Sequence, residues 1–443
     1  MASYQAPKEW EEWSGYLQAG LHGRLRWRLG VLLMGMLFAA GRRCVSSWLR
    51  AAGVSLDYQD YYYFLQSVGR VWRELGFRVL DLVLQRVLAD QSRVLLVIDD
   101  SPTKRYGPKV EGAGFHHDPT PGRCSHPFCY GHVWVSLAVA VRHARWGTIA
   151  LPIWSWLYVR QVNIGKLPET YGWTFQTKLV QAAELVQWAA ARLIAAGKKV
   201  WAVADGAYGK RPFVRSVLAL GVTLVGRLRK DAALRDVPKE NQSPGRGRKR
   251  KYGVNAISLS KRAAHPRGWQ QVVCTLYGRE EIKTIKTFLA THPTFGGVIR
   301  VVIVREIEGA QYFYCTGPQA TVREILEAYA DRAAIEQVFH DVKEVWGSGE
   351  QQVRNLWANI AVWHLNLWMH TLVELWAWNR SPRKLVNRGD SPWDRRDRRP
   401  SQTDRRKALQ ASCLAEEFRV AGQATPFPRK IRTLFTRLLR IAV

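Results

Sequence analysis

Between Arg93 and Leu228 the chain changes texture in a fixed order, and that order limits the folds open to it. RVLLVIDD (93–100) is a short, unbroken apolar run ending in two acids, the pattern of a buried strand. HVWVSLAVAVRH (132–143) and TIALPIWSWLYV (148–159) read as two more strands joined by a tight Arg-Trp-Gly turn. An amphipathic helix is expected from Phe175 to Ala196, ended by Gly197. WAVAD (201–205) is a fourth strand, Pro212–Leu220 a second helix closed by Gly221, and VTLVGRL (222–228) a fifth strand.

Three strands, helix, strand, helix, strand is the order of a ribonuclease-H-like fold, an α/β sheet whose first three strands run antiparallel. The expected core comprises residues 91–229 and 321–378. Residues 230–320 interrupt it as a mostly β insertion, with a basic loop SPGRGRKRKYG (243–253) and strand-like runs at 269–278, 297–307 and 310–317. Residues 1–90 read as helical, with helical periodicity over Arg24–Ala40 and Val71–Leu88. The short helices between them, around Arg42, Arg43 and Arg50, suit a helix-turn-helix-like DNA-binding unit; a plain bundle capping the core is the alternative. Residues 379–443 are expected to be a basic linker and helical tail, with 380–407 a flexible or DNA-tracking segment.

The chain carries 66 Lys and Arg against 36 Asp and Glu, a net charge of +30. A globular fold does not need that excess, which points to a polyanion, most simply nucleic acid. Six scattered cysteines suit free thiols in a reducing, cytoplasmic setting. The apolar run Leu29–Ala40 is too short to span a bilayer. The run Leu356–Trp378 holds Asn359, His364, Asn366, His370 and Glu374, so a buried helix is expected there.

The stretch Thr321–Trp346 has the periodicity of one helix, opened by a capping box of Thr321 and Glu324. At about 100° per residue, Tyr329, Arg332, Glu336 and Lys343 project onto one narrow stripe. Ile335, Val338, Phe339, Val342 and Trp346 form an apolar stripe beside it. Taken alone, Arg332 and Glu336 could be a surface ion pair. The spacing Y-x2-R-x3-E-x6-K, however, resembles the signature of one branch of bacterial insertion-sequence transposases of the DDE type. That resemblance covers about residues 20 to 375. It implies a nuclease and strand-transferase whose three acids converge to hold divalent cations, Mg²⁺ with Mn²⁺ as an option, two per site. The acids expected are Asp99, Asp205 and Glu336. Asp99 continues the alternation of Leu95 and Val97 and is followed, in D-D-S, by Ser101, so it is preferred to Asp100. Asp205 lies in D-G-A-Y, matching the family's D-G-x-Y.

By the same resemblance, Tyr329, Arg332 and Lys343 would hold DNA phosphates beside the scissile bond. The partners implied are double-stranded DNA, both as terminal inverted repeats and as target, and a second copy of the chain in a homodimer. Relatives often pass through a DNA hairpin and hold a flipped base against a Trp; Trp269 lies in the insertion, but a core role fits it better. His116, His117, Cys124, His126, Cys129 and His132 crowd one loop. Their spacing matches no zinc-finger pattern, and a DNA-contacting loop with Lys104, Arg105, Lys109 and Arg123 explains them as well. The rival readings are a transposase-derived binding protein that no longer cuts, and another ribonuclease-H-like nuclease such as a junction resolvase.

Overall fold

The buried run that begins at Arg93 becomes the centre of the molecule. In the computed structural model, which describes residues 5–117, 127–238, 250–386, 388, 393–395 and 398–424, it forms β1 (Arg93–Lys104). The chain then adds β2 (Gly114–His117), β3 (Phe128–His143), β4 (Gly147–Tyr158), β5 (Lys199–Ala204) and β6 (Thr223–Arg227). After these come β7 (Leu234–Arg235), β8 (Ala256–Ile257), β9 (Gln270–Leu276), β10 (Arg279–His292), β11 (Gly297–Glu306) and β12 (Gly309–Cys315). All twelve belong to one sheet, ordered β2-β3-β1-β5-β6-β12-β11-β10-β7-β8, with β4 on β3 and β9 on β10. β1 pairs antiparallel with β3, and β3 with β4; β1, β5 and β6 run parallel. The strands of the expected insertion do not stand apart, because β12 pairs antiparallel with β6 and continues the sheet.

Two strand expectations need correction. β1 does not end at its acids but runs on to Lys104, because β3 pairs with it as far as Lys104 opposite Gly131. Its parallel partner β5 does stop, at Ala204 opposite Ile98. Asp99 therefore lies where one neighbouring strand has ended and the other continues. The second correction is that the sequence reading passed over β10 and the short strands β2, β7 and β8, β2 lying in the stretch read as a loop.

Five helices precede the sheet: α1 (Lys8–Gln18), α2 (Trp27–Phe38), α3 (Val45–Ala51), α4 (Tyr58–Arg70) and α5 (Trp72–Val87). The chain later forms α6 (Gln161–Ile164), α7 (Lys178–Ala195), α8 (Arg211–Leu218), α9 (Leu259–Ala264), α10 (Val322–Asp331), α11 (Ala334–Glu344) and α12 (Leu356–Ala377). Then come α13 (Pro382–Leu385) and α14 (Gln402–Ala424). Thr177 caps α7, its hydroxyl accepting from the Val180 N–H. Every residue of α12 but Trp357 is buried. Among the described residues no helix is long and apolar enough to cross a membrane.

α12 is the hub between sheet and N-terminal helices. Trp363 stacks on Trp134 of β3 at 4.9 Å, and the Trp368 Nε1 donates to the Ile153 carbonyl. On its other side α4 comes so close that a Cβ on Gly69 would sit 1.9 Å from the Trp357 carbonyl oxygen. The buried residues of α1–α5 form one hydrophobic cluster with those of α12 and the sheet.

The tail also departs from expectation. Part of 380–407 lies outside the described residues, but 402–407 is helix, and Arg405 and Arg406 are buried. Arg405 meets Glu374 of α12 at 3.3 Å. Arg406 donates to the carbonyls of Met36, Leu37 and Ala39 at the end of α2, and to that of Val345 after α11. Helix C-termini leave carbonyls without partners, and a guanidinium satisfies several at once. A charge run that reads as solvated thus joins three helices.

Three buried histidines are neutral. The His364 Nδ1 donates to Ile360 and its Nε2 accepts from the Ser155 N–H. The His132 Nε2 donates to the Glu111 carbonyl, and its Nδ1 accepts from the Arg105 Nε. Burial pushes His364 and His116 down to about 4 and His132 to about 3, from an ordinary 6.5. Below pH 6.5 the unfolded chain takes up protons that the folded chain refuses, so stability present above 6.5 is lost as pH falls toward those values. At pH 5 each ring costs about 2 kcal/mol. Denaturant midpoints should drop clearly between pH 7.5 and 5.0, and His364→Gln should make the drop measurably smaller. An identical pH dependence in the variant would contradict neutral burial of His364.

Candidate active site

Two acids meet because two parallel strands are in register. Ile98 of β1 lies level with Ala204 of β5, and the next residue on each is an acid, Asp99 and Asp205. Asp205 keeps an extended backbone (φ −63°, ψ 160°) just past the last paired residues, close enough to Asp99 for the two charges to act on each other. Burial pushes the Asp99 carboxyl up to about 6; Arg332 opposes that rise, while Asp100 and Asp205 add to it.

Asp99 and Asp100 face opposite sides of the sheet, as neighbours on a strand must. The Asp100 carboxylate accepts from the Lys178 Nζ at 2.7 Å and from the Tyr208 hydroxyl at 2.9 Å, on the α7 side. The Asp99 Oδ2 accepts from the Arg332 Nη1 at 2.6 Å, on the α11 side. The Arg332 Nη2 reaches the Glu336 Oε1 at 3.3 Å. One guanidinium therefore bridges the strand acid and the helix acid. Glu336 itself is well exposed, its side chain at 61%.

α11 is docked by the stripe read from the sequence: Ile335, Val338, Phe339, Val342 and Trp346 are all buried. The capping box of Thr321 and Glu324 is formed. The single helix over Thr321–Trp346 is not. It breaks at Arg332 and Ala333 into α10 and α11, where Arg332, Ala333, Ile335 and Glu336 each bond back three residues rather than four. Both sides of the break are tied to the sheet. Asp331 accepts from Thr148 at 2.5 Å and from Arg142 at 3.0 Å, while Arg332 binds Asp99. These contacts override the helix preference of the local sequence.

Tyr329 thus sits on a different helix from Glu336 and Lys343. Its ring packs on Phe313 at 4.9 Å, and Arg332 lies 5.7 Å above it. Burial raises its hydroxyl above the ordinary value, with Arg332 and Arg227 opposing. The Lys343 Nζ donates to the buried Ser101 hydroxyl at 2.8 Å, two residues along β1 from Asp99. The sequence reading passed over Arg227 and Lys178, and it marked Tyr208 only as part of the D-G-x-Y motif, not as a donor to Asp100. Arg227 ends β6, the third parallel strand, and is exposed beside Gly206 and Tyr329. The signal was its place at the end of a parallel strand next to Asp205.

Asp99 and Asp205 side by side are hard oxygen donors of the kind a divalent cation takes. Among the described residues no three His, Cys, Asp or Glu side chains are close enough to share one ion, and Arg332 lies between Asp99 and Glu336. In the histidine-rich loop, His116 pairs with Cys129 across β2 and β3, and both His132 nitrogens are engaged within the protein. Arg123, Cys124 and His126 lie outside the described residues.

The two acids should differ in what they do for stability. Asp100→Asn leaves a lysine and a phenol without their anionic acceptor and should cost about 1–3 kcal/mol. Asp99→Asn removes a charge that burial disfavours and should cost less. Urea unfolding at pH 8 distinguishes them, and a larger loss for Asp99→Asn would contradict the assignment of faces.

A family model described as DDE superfamily endonuclease matches residues 17–294, more than half of the chain. The match includes Asp99 and Asp205 and stops short of α10 and α11. No curated protein matches the chain.

Proposed function

The chain belongs to the DDE superfamily endonucleases, and from there we propose that it is an insertion-sequence transposase that cuts the ends of its element and joins them to target DNA. The observation that carries this reading is the Asp99–Asp205 pair, with Glu336 tied to it through Arg332. The family supplies the reaction class, metal-dependent cleavage of DNA. The order β4-β3-β1-β5-β6, antiparallel across β4, β3 and β1 and parallel across β1, β5 and β6, supports a ribonuclease-H-like core.

In this reading Asp99, Asp205 and Glu336 would hold Mg²⁺ or Mn²⁺, which supplies charge neutralisation at the scissile phosphate and an activated oxygen nucleophile. The remaining work falls to the chain's own side chains. Arg332 offers a planar fork that suits phosphate oxygens as well as it suits the two carboxylates it now bridges. Arg227 and Tyr329 border the pair on the β6 side, and Lys343 on the far side places a point charge two turns of helix beyond Glu336, about 10 Å away. A strand lying across the carboxylates would meet a cation on each side. Asp100, held by Lys178 and Tyr208, keeps β1 fixed and takes no part in cleavage. Terminal inverted repeats and target DNA are the proposed substrates, and two copies of the chain would bring the two ends together.

Glu336→Gln should abolish cleavage of a duplex carrying the element's end in Mg²⁺ and leave duplex affinity within a few-fold, because it removes an oxygen ligand and not a phosphate contact. Loss of affinity in step with cleavage would count against the assignment. Lys343→Ala should lower the salt dependence of duplex binding by about one unit of log–log slope; an unchanged slope would remove it from the phosphate path.

A further inference from the structure

The elements that carry Asp99 and Glu336 run on together into a second, unassigned site. β1 ends at Lys104 and continues as Arg105–Val110; α11 ends at Glu344 and continues as the loop through Gly349 to Arg354. Between these two segments lies a cleft of about 450 Å³. Its rim carries Arg42, Lys109 and Arg354, all exposed, and Tyr106, 81% exposed. No carboxylate residue lines it.

The floor is a buried cation. Arg105 is 6% exposed, and its guanidinium donates to the His132 Nδ1 and to the carbonyls of Gly349 and Gln351. Among the described residues no Asp or Glu pairs with Arg105, Arg42, Lys109 or Arg354. A buried guanidinium held only by neutral acceptors keeps its full charge and lacks a counter-ion. Here that charge faces a cleft rimmed by three more cations. The ligand the cleft suits is an anion, and a large exposed aromatic ring at its mouth suits a ligand with a flat face. Phosphate and base together describe a nucleotide, and the volume is that of a small-ligand site.

We infer that this cleft binds a nucleotide of single-stranded DNA, its phosphate on the Arg105–Lys109–Arg354 side and its base against Tyr106. The inference rests on the DNA-cleaving reading above and deepens it. The strand path is short: Asp99 to Tyr106 is seven residues of mostly extended chain, on the order of 20 Å. Lys343, bonded to Ser101, stands between the two sites. A strand freed at the carboxylates would reach the cleft without leaving basic surface.

The test uses the full-length protein and short fluorescent oligonucleotides, single-stranded, abasic single-stranded and duplex. Tyr106→Ala should weaken the single strand about tenfold, leave the abasic strand unchanged, and be rescued by Tyr106→Phe. Lys109→Ala with Arg354→Ala should lower the single-strand salt slope by about 1.4. All these side chains are exposed, so thermal melting should stay at the wild-type value. Wild-type affinity for the single strand in every variant, with duplex cleavage intact, would overturn the cleft and spare the transposase reading. Equal loss on the intact and abasic strands with Tyr106→Ala would overturn the stacking half. A wild type that binds neither single strand nor duplex would overturn both readings.

Discussion

Like charges set side by side in a half-buried site repel, and the fold must answer that repulsion. The register of β1 on β5 places Asp99 beside Asp205, and Asp100 follows directly on the other face. Two cations answer, one per face: Arg332 from between α10 and α11 on Asp99, and Lys178 from α7 on Asp100. Helices are thus held to both sides of the central strand by charge as well as by apolar contact. The break between α10 and α11 follows from the same pairing, since Arg332 and Asp331 are each bound to the sheet. Electrostatics at the carboxylates therefore shapes the helix that carries Glu336.

The pairing does not fully offset the burial of Asp99. Asp99 is partly buried, with its carboxyl pushed up to about 6, so its charge is only partly relieved by Arg332. In the proposed reading a divalent cation would relieve it further and leave Arg332 for a phosphate. Around the site the net charge of +30 takes a direction. Arg227 lies on one side, Lys343 on the other, and the cleft with Lys109 and Arg354 lies beyond Lys343. Elsewhere, cations serve the fold: Arg405 and Arg406 are buried between helices. A strongly basic composition therefore mixes two uses that only the structure separates.

The central strands and helices were legible because each is a contiguous apolar or periodic run, and the order of those runs pointed to the sheet that is found between β4 and β6. The preference for Asp99 over Asp100 came from simple alternation along the strand, and the two acids do face different partners. Other features were hidden for physical reasons. β10 reads as polar because its first half alternates Glu and Lys with Ile. Its turn signal was present in Tyr277–Gly278, whose positive φ values make a two-residue hairpin with β9. The helix break was illegible because Ala333 and Ala334 are good helix formers, and the contacts that interrupt them come from 183 to 233 residues away in sequence. Arg405 looked solvated because nothing in the sequence pairs it with Glu374, although that residue's helix was expected to be buried.

Whether Asp99 and Asp205, with Glu336, form the proposed cation-binding centre can be measured. The most direct measurement is Mn²⁺ binding to the full-length protein without DNA, followed by electron paramagnetic resonance or calorimetry, in wild type and in Asp205→Asn. Saturable binding by the wild type that is lost in the variant is the result expected. No binding, or binding of equal strength in Asp205→Asn, would place the metal elsewhere and separate these carboxylates from the chemistry.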